Sequence, residues 1–194
     1  MKHYFNKYNI INFSGFLLLA TILVERLSFY LAIQMNLSTF VPLVIFIWSL
    51  RLIMIISGAI LFFTILLDFA NRNADFDFFR NSIKSYVATW KSRRYCTQIN
   101  VEPTLEESTR YLNTKQMIVK KANRSLLTLT VVYYKDYAVA TWTLPANSES
   151  FRLMEELLPQ LKRELYQLDN NYLFNDFIRL ANSRVFQSTA TRRK

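Results

Sequence analysis

The feature that most constrains this chain is an apolar stretch of about sixty residues close to its first residue. Only four charged side chains interrupt the stretch from Ile10 to Phe69, namely Glu25, Arg26, Arg51 and Asp68. A helix rises about 1.5 Å per residue, so about 20 apolar residues cross the roughly 30 Å hydrocarbon core of a bilayer. The apolar side chains occupy every helical face, which disfavours a soluble core. We therefore predict a transmembrane α-helical hairpin over residues 10–69.

One polar segment offers a turn inside this stretch. Residues 34–39 read Gln-Met-Asn-Leu-Ser-Thr, and Pro42 follows where the first turn of a helix tolerates proline. We predict one helix over residues 10–34 and a second over residues 40–68. The stretch continues into a second span and has no small-residue cleavage pattern, so we expect it to anchor the chain and not to be removed as a signal peptide.

The charges inside the hairpin suggest how its helices pair. If the chain folds back near residue 38, facing residues have numbers that add up to about 76, as Glu25 and Arg51 do. We predict that these two form an intramembrane ion pair, because a lone ionisable group in lipid costs several kcal/mol. Arg26 is expected to face the outer interface or another subunit. An intersubunit contact and an ion or proton pathway are the alternatives for this cluster.

The basic residues around the hairpin predict its orientation. Lys2 and Lys7 precede the first helix, and residues 35–41 contain no Lys or Arg. Six basic residues follow the second helix closely: Arg72, Arg80, Lys84, Lys91, Arg93 and Arg94. The positive-inside rule then places both termini in the cytoplasm. We expect a two-pass protein of a bacterial inner (cytoplasmic) membrane.

Beyond the hairpin we predict a small cytoplasmic α+β domain with a short antiparallel sheet and a covering helix. The expected segments are 1–9 (cytoplasmic), 10–69 (hairpin), 70–95 (juxtamembrane amphipathic helix), 96–191 (α+β domain) and 192–194 (basic tail). The net charge of +10 lies mainly after the hairpin, where twenty basic and twelve acidic residues give +8. This excess favours contact with anionic lipid or, alternatively, with nucleic acid.

The juxtamembrane segment combines an aromatic stripe with basic residues. Apolar residues recur at spacings of three and four in Phe76, Phe79, Ile83, Tyr86 and Trp90. This pattern predicts a helix over residues 74–91, either in the lipid interface or packed on the domain, and able to continue directly from the second span. The candidate contacts to lipid or nucleic acid are Arg80, Lys84, Trp90, Lys91, Arg93, Arg94, Lys120, Lys121 and Arg124.

The domain itself is predicted to begin with three short strands, over residues 117–121, 126–134 and 137–144. The third alternates cleanly, which predicts one face made of Ala138, Ala140, Trp142 and Leu144. A turn at Lys135-Asp136 joins it to the strand before. The pattern leaves residues 172–180 open between helix and strand.

A helix is predicted over residues 147–168. Its apolar side chains recur at heptad spacing in Phe151, Met154, Leu158, Leu161, Leu165 and Leu168. Pro159 indicates a kink or a division, because it lacks a backbone donor. We expect the helix to cover the sheet. The alternative is a partner-helix face that mediates self-association.

Composition argues against an enzyme. His3 is the only histidine, Cys96 the only cysteine, and the two glycines, Gly15 and Gly58, both lie in the hairpin. Histidine triads, Cys/His zinc clusters and glycine-rich phosphate loops therefore lack their parts in the domain. We expect no catalytic, metal or cofactor site and no small-molecule substrate.

The expected function is non-enzymatic. The chain is predicted to be a membrane-anchored scaffold or accessory subunit that docks a partner protein, or a further copy of itself, at the cytoplasmic membrane face. Its layout resembles that of accessory subunits in assemblies that move DNA or protein between cells, which is an analogy of architecture alone. The alternatives are a membrane-tethered nucleic-acid-binding module and a small oligomeric membrane effector or channel.

Overall fold

The computed structural model describes residues 6–35, 40–97, 109–181 and 183–193, and over 109–114 only their backbone. The chain divides into two compact units, residues 1–71 and residues 72–194. The centre of the predicted hairpin turn lies outside the described residues. So do residues 98–108, where the sequence predicts most of an irregular linker and a helix start at Thr104.

The first unit consists of two long helices, α1 (Lys7–Gln34) and α2 (Val41–Ala74), apart from the last three residues of α2, which belong to the second unit. The side chain of Asn6 caps α1 by accepting a hydrogen bond from the backbone N–H of Asn9 at 2.9 Å. Both helices are long and apolar enough to cross a membrane, with mean hydropathies of 1.9 and 2.5 over their most apolar windows. The prediction of two long apolar helices is confirmed, and α2 continues six residues past its predicted end at residue 68.

Small side chains line the face that the two helices share. Ser14, Thr21 and Ser57 are buried, and their hydroxyls donate to carbonyls one turn earlier in their own helices. A Cβ atom added to Gly58 would meet the side chain of Leu18 at 3.8 Å. Small residues let helices approach closely, which is the usual packing of helices in lipid.

The second unit has an α+β fold, as the sequence predicts. Its elements are α3 (Phe79–Tyr95), α4 (Thr109–Ser125), a 3-10 turn (Leu126–Thr128), β1 (Thr130–Tyr133), β2 (Tyr137–Thr143), α5 (Ser148–Glu155), α6 (Leu158–Leu168), β3 (Tyr172–Phe174), β4 (Ile178–Arg179) and β5 (Val185–Arg192). The strands form one antiparallel sheet in the order β1–β2–β5–β3. β3 pairs with the carboxyl-terminal end of β5, and β4 pairs with its amino-terminal end.

The sheet buries the face that alternation predicts. Ala138, Ala140 and Trp142 of β2 are fully buried, and the Trp142 indole N–H donates to the carbonyl of Ser125 at 3.3 Å. The open segment after residue 171 forms strands, with β5 in the middle of the sheet. The predicted strand over 117–121 is wrong. These residues lie in α4, where Val119 and Ala122 are buried at helical spacing with Leu126 of the following 3-10 turn.

The heptad stripe belongs to the core of the domain. The predicted helix is divided at Glu156-Leu157, and Pro159 lies in the first turn of α6, where its missing N–H leaves no hydrogen bond unmade. Four members of the stripe are buried (Met154, Leu158, Leu161 and Leu165), and Phe151 and Leu168 pack against the same core. The predicted partner-helix face is therefore corrected: these side chains cover the domain's own sheet.

A tight turn separates α2 from α3. Phe76 has φ 52°, the Asp77 N–H donates to the carbonyl of Arg72, and the Phe76 N–H donates to that of Asn73. These are the two hydrogen bonds of a Schellman motif, which ends a helix with one left-handed residue. The predicted helix over 74–91 is therefore interrupted at 75–78. Phe76 lies outside it, and α3 is not a direct continuation of α2.

The basic tail is also shorter than predicted. Arg192 is the last residue of β5, and the Arg193 N–H donates to the carbonyl of Asn171 at 2.7 Å. Lys194 lies outside the described residues.

Candidate functional site

The candidate site is built on α3, which lies along the open edge of β1. Among the described residues this strand pairs only with β2, so the backbone groups of its other edge need partners from elsewhere. The face of α3 that meets β1 is polar and small: Ser82, Ser85, Ala88, Thr89 and Ser92 are all buried. An apolar-periodicity search misses this face, because its signal is a row of hydroxyls at helical spacing.

Two hydroxyls of α3 form hydrogen bonds with the β1 backbone that a neighbouring strand would otherwise form. The Thr89 hydroxyl accepts from the Val131 N–H at 2.9 Å and donates to the Val131 carbonyl at 3.1 Å. The Ser85 hydroxyl accepts from the Tyr133 N–H at 2.8 Å. Four helical residues rise about 6.0 Å, close to the roughly 6.8 Å that two antiparallel strand residues span, so the two rows stay nearly in step.

Two arginines complete this edge. The Arg93 Nε donates to the carbonyl of Leu129 at 2.9 Å, and Arg72 Nη1 donates to that of Tyr133 at 3.0 Å. Arg72 is buried, forms an ion pair with Asp77 and also donates to Ser85. The sequence suggested lipid or nucleic-acid contact for Arg93 and topogenic charge for Arg72. The structure gives both a role in holding α3 in place.

With one face held against β1, α3 exposes its other two. Phe79, Ile83, Val87 and Trp90 form an exposed apolar face, with Trp90 half exposed and the Arg94 guanidinium 5.5 Å from its ring centroid. The basic residues lie beside this face. The predicted aromatic stripe therefore lies outside the core from Phe79 to Trp90. The opposite face of the same helix packs on the domain.

A basic groove of about 840 Å³ runs beside α3. Five cationic residues line it: Arg80, Lys84, Lys91, Lys135 and Arg192. Its apolar lining includes Phe78, Ile83, Val87 and Leu168. No carboxylate is among the residues that line it in the described part of the chain. Lys135, in the β1–β2 turn, was missed by sequence reasoning, since only the folded hairpin brings it beside α3.

Lys84 is held at the base of this groove. Its ammonium forms an ion pair with Asp169, and it lies 4.7 and 4.8 Å from the ring centroids of Tyr133 and Tyr172. Burial, and then the Asp169 carboxylate, raise the pKa of Tyr133, so its hydroxyl stays neutral at physiological pH. Two aromatic rings and one carboxylate therefore fix one cation in place.

The remaining basic candidates lie elsewhere. Lys120, Lys121 and Arg124 are exposed on α4 and do not line the groove. Of the predicted basic residues on α3, Arg80, Lys84 and Lys91 line the groove. Arg93 instead binds the carbonyl of Leu129, and Arg94 lies over the ring of Trp90.

Among the described residues, two ion pairs join the two helices of the hairpin. The Arg51 Nε lies 3.0 Å from Glu25 Oε1, while the largely exposed Arg26 reaches only 3.8 Å from the other carboxylate oxygen. Lys7 pairs with Asp68, and these residue numbers add up to 75. Sequence reasoning missed this second pair, although the pairing rule used for Glu25 and Arg51 points to it.

The cationic lining of the groove suits the binding of an anion. Cys96 is fully buried, and burial, followed by the nearby Glu164, raises the pKa of its thiol to about 12, which leaves little nucleophilic thiolate. Among the described residues, no group of three or more His, Cys, Asp or Glu side chains could hold a metal ion. Comparison with protein-family models, curated proteins and solved structures gave no match to this chain.

Proposed function

We propose that this chain is a membrane-anchored, non-enzymatic docking protein. In this proposal α1 and α2 cross a bacterial inner membrane, and the α+β domain acts at the cytoplasmic face as an accessory subunit that binds a partner protein. The observation that carries it is the exposure of the hairpin: only 11% of the most apolar window of either helix is buried. Apolar surface of that extent must be shielded from water, and the hydrocarbon core of a bilayer matches helices of this length.

The ion pairs of the hairpin support an anchor more than a pore. Glu25 and Arg51 bond each other, and so do Lys7 and Asp68. Ionisable groups that satisfy each other in lipid stabilise the packing of two helices. We infer that the two pairs hold the helices in register.

The second edge of the sheet supports a protein partner. In the described part of the chain, β3 and β4 pair with β5 alone; Leu173 and Ile178 are exposed on them, and Leu180 is exposed directly after β4. An open edge with apolar side chains can add a strand from another protein, with backbone hydrogen bonds supplying affinity. The α3 edge is closed by side chains, so we place the partner at β3 and β4.

The anchor is tested by extraction of membranes from cells that make the full chain. The protein should stay with the membrane through high salt and alkaline carbonate and leave it only in detergent. Release by salt alone would reject the anchor, because it would mean attachment by surface charge.

The partner edge is tested by site-specific photocrosslinking in the same cells. A crosslinker at Leu173 or Ile178 should give one discrete adduct, whereas the same group at Lys121 on α4 should give none. Equal adducts from all three positions would contradict the assignment of this edge.

A further inference from the structure

The basic groove beside α3 concentrates positive charge from three separate elements of the domain. Arg80, Lys84 and Lys91 follow each other at steps of four and seven residues, which places them on one face of α3. Lys135 and Arg192 face the same groove from the β1–β2 turn and the end of β5. Five positive charges around one concavity favour a ligand that carries concentrated negative charge.

Three of these cations have no competing carboxylate. Lys84 is bound by Asp169, and Arg192 donates to the carbonyl of Lys135 at 3.3 Å. Within the described residues, Arg80, Lys91 and Lys135 form no ion pair, and all three are exposed. They are the donors available to an incoming anion.

The apolar part of the groove narrows the class of ligand. Phe78, Ile83 and Val87 are largely exposed and line the same concavity as the cations. The exposed ring of Trp90 continues the apolar face of α3 past the groove. Cations beside apolar and aromatic side chains suit a ligand with a phosphate at one end and hydrocarbon at the other.

We propose that this groove binds the headgroup of an anionic phospholipid. Arg80, Lys91 and Lys135 surround the headgroup with positive charge that attracts its phosphate, and Ile83 and Val87 contact the glycerol and the first acyl carbons. Lys84, held by Asp169 and its two tyrosines, fixes the base of the site. The inference rests on the proposed membrane anchor, which supplies the lipid, and it adds a defined lipid site on the domain.

The test compares two variants of the full chain that lose the same charges. The groove variant is Arg80→Gln with Lys91→Gln and Lys135→Gln. The control variant is Arg163→Gln with Lys120→Gln and Lys121→Gln, three exposed residues that lie outside the groove and form no ion pair within the described residues. Each variant loses one arginine and two lysines, so a general loss of positive charge affects both equally.

Native mass spectrometry of the detergent-purified chain measures the binding. The micelles contain either phosphatidylglycerol or zwitterionic phosphatidylcholine, and the readout is the fraction of protein that retains one lipid. We expect the groove variant to lose about tenfold or more of its phosphatidylglycerol retention, since charge-assisted hydrogen bonds supply the affinity. The control variant should stay within about twofold of the original chain, since it keeps those hydrogen bonds. Thermal unfolding of both variants checks that the domain is intact.

Further arms separate lipid from other sources of phosphate. Excess inorganic phosphate or single-stranded DNA should displace little phosphatidylglycerol. Displacement by phosphate would show a free-anion site, and displacement by DNA would show a nucleic-acid groove; either result overturns the lipid assignment. Equal losses in the two variants, or equal retention of the two lipids, would overturn it as well. These outcomes leave membrane extraction unchanged, so failure of the lipid site is distinguishable from failure of the anchor.

Discussion

Phe76 adopts a backbone conformation that glycine usually occupies. Its φ of 52° lies in the left-handed region, where a side chain costs about 1–2 kcal/mol. The side chain is 91% exposed, so little packing offsets this cost.

Phe76→Gly should therefore raise the free energy of unfolding of the domain by up to about 1 kcal/mol, part of the relief being lost to the greater freedom of glycine in the unfolded chain. Urea unfolding of the detergent-solubilised full chain, followed by the fluorescence of buried Trp142, measures it. Phe78→Gly is the control, because Phe78 is also exposed but has φ −81°. Stabilisation by both variants, or by neither, would refute the strain at Phe76.

Cys96 makes stability depend on alkaline pH. Burial, followed by the nearby Glu164, raises the pKa of the Cys96 thiol from its ordinary value of 9.0 to about 12 in the folded domain. Its contribution is complete below pH 9 and is lost as pH rises toward 12, since only the unfolded chain then releases the proton. The raised pKa of Tyr133 acts in the same direction from about pH 10, the ordinary tyrosine value.

Between pH 9 and 10 the free energy of unfolding should decrease as pH rises. The rate of decrease should approach about 1.4 kcal/mol per pH unit. Urea titrations at closely spaced pH values measure this slope. In Cys96→Ala the slope should flatten over that interval and return above pH 10, where tyrosine titrates. An unchanged slope in the variant would mean that another group is responsible.

At the scale of elements, the buried hydroxyls of α3 should contribute more to the free energy of unfolding than the hydroxyls of exposed threonines. Thr89→Val keeps the shape of the side chain but removes the hydroxyl that bonds both the N–H and the C=O of Val131. A buried hydrogen bond contributes about 0.5–1.5 kcal/mol, so losing two of them should lower the free energy of unfolding in urea by about 1–3 kcal/mol.

Thr191→Val is the matched substitution for this test. Thr191 is exposed on β5, and a change there should stay within about 0.5 kcal/mol. If Thr89→Val and Thr191→Val lowered the free energy of unfolding equally little, the α3 hydroxyls would not be the essential hydrogen-bond partners of the β1 edge.

The hairpin pair can be measured by a double-mutant cycle. Glu25→Ala should weaken insertion or assembly by leaving Arg51 without its carboxylate, and adding Arg51→Ala should restore part of the loss. A coupling of about 1–3 kcal/mol is expected from contacting charges, measured by unfolding in detergent. The same cycle with Arg26→Ala should show little coupling, since Arg26 is exposed and 3.8 Å away. Additive effects for Glu25 and Arg51 would remove their role as a structural pair.

Sequence patterns predicted elements well where one strong period dominates. Alternation from Tyr137 to Leu144 identified both β2 and its buried face, and unbroken hydropathy identified α1 and α2. The error at 117–121 arose because a β-branched run was read by itself. A longer window that includes Leu126 shows the helical spacing of Val119 and Ala122. The residue preferences within 117–121 give no reason to choose that longer window.

The site was harder to predict than the elements. Its α3 cations were visible as a basic complement to an aromatic stripe, but their convergence with Lys135 depends on tertiary pairing. The orientation of α3 depends on Ser85 and Thr89, which carry no hydrophobic signal. Polar contacts of this kind become visible only when the neighbouring strand is known.

For the molecule as a whole, the distribution of basic residues predicts one orientation in the membrane. A tag after the last residue should be protected in intact cells and become accessible only when the inner membrane is permeabilised. A tag in the 36–39 segment should show the opposite accessibility. Accessibility of the terminal tag from outside would reverse the orientation and move the lipid groove to the outer leaflet.

The hydroxyl row on α3 also bears on how copies of this chain would aggregate. Sheets that expose both flanks can stack strand against strand without limit, which is the route to fibrils. Here one flank is occupied by a helix that offers its own donors and acceptors, so templated growth has a single open direction. We therefore expect a variant that frees the β1 flank to polymerise more readily than the original chain.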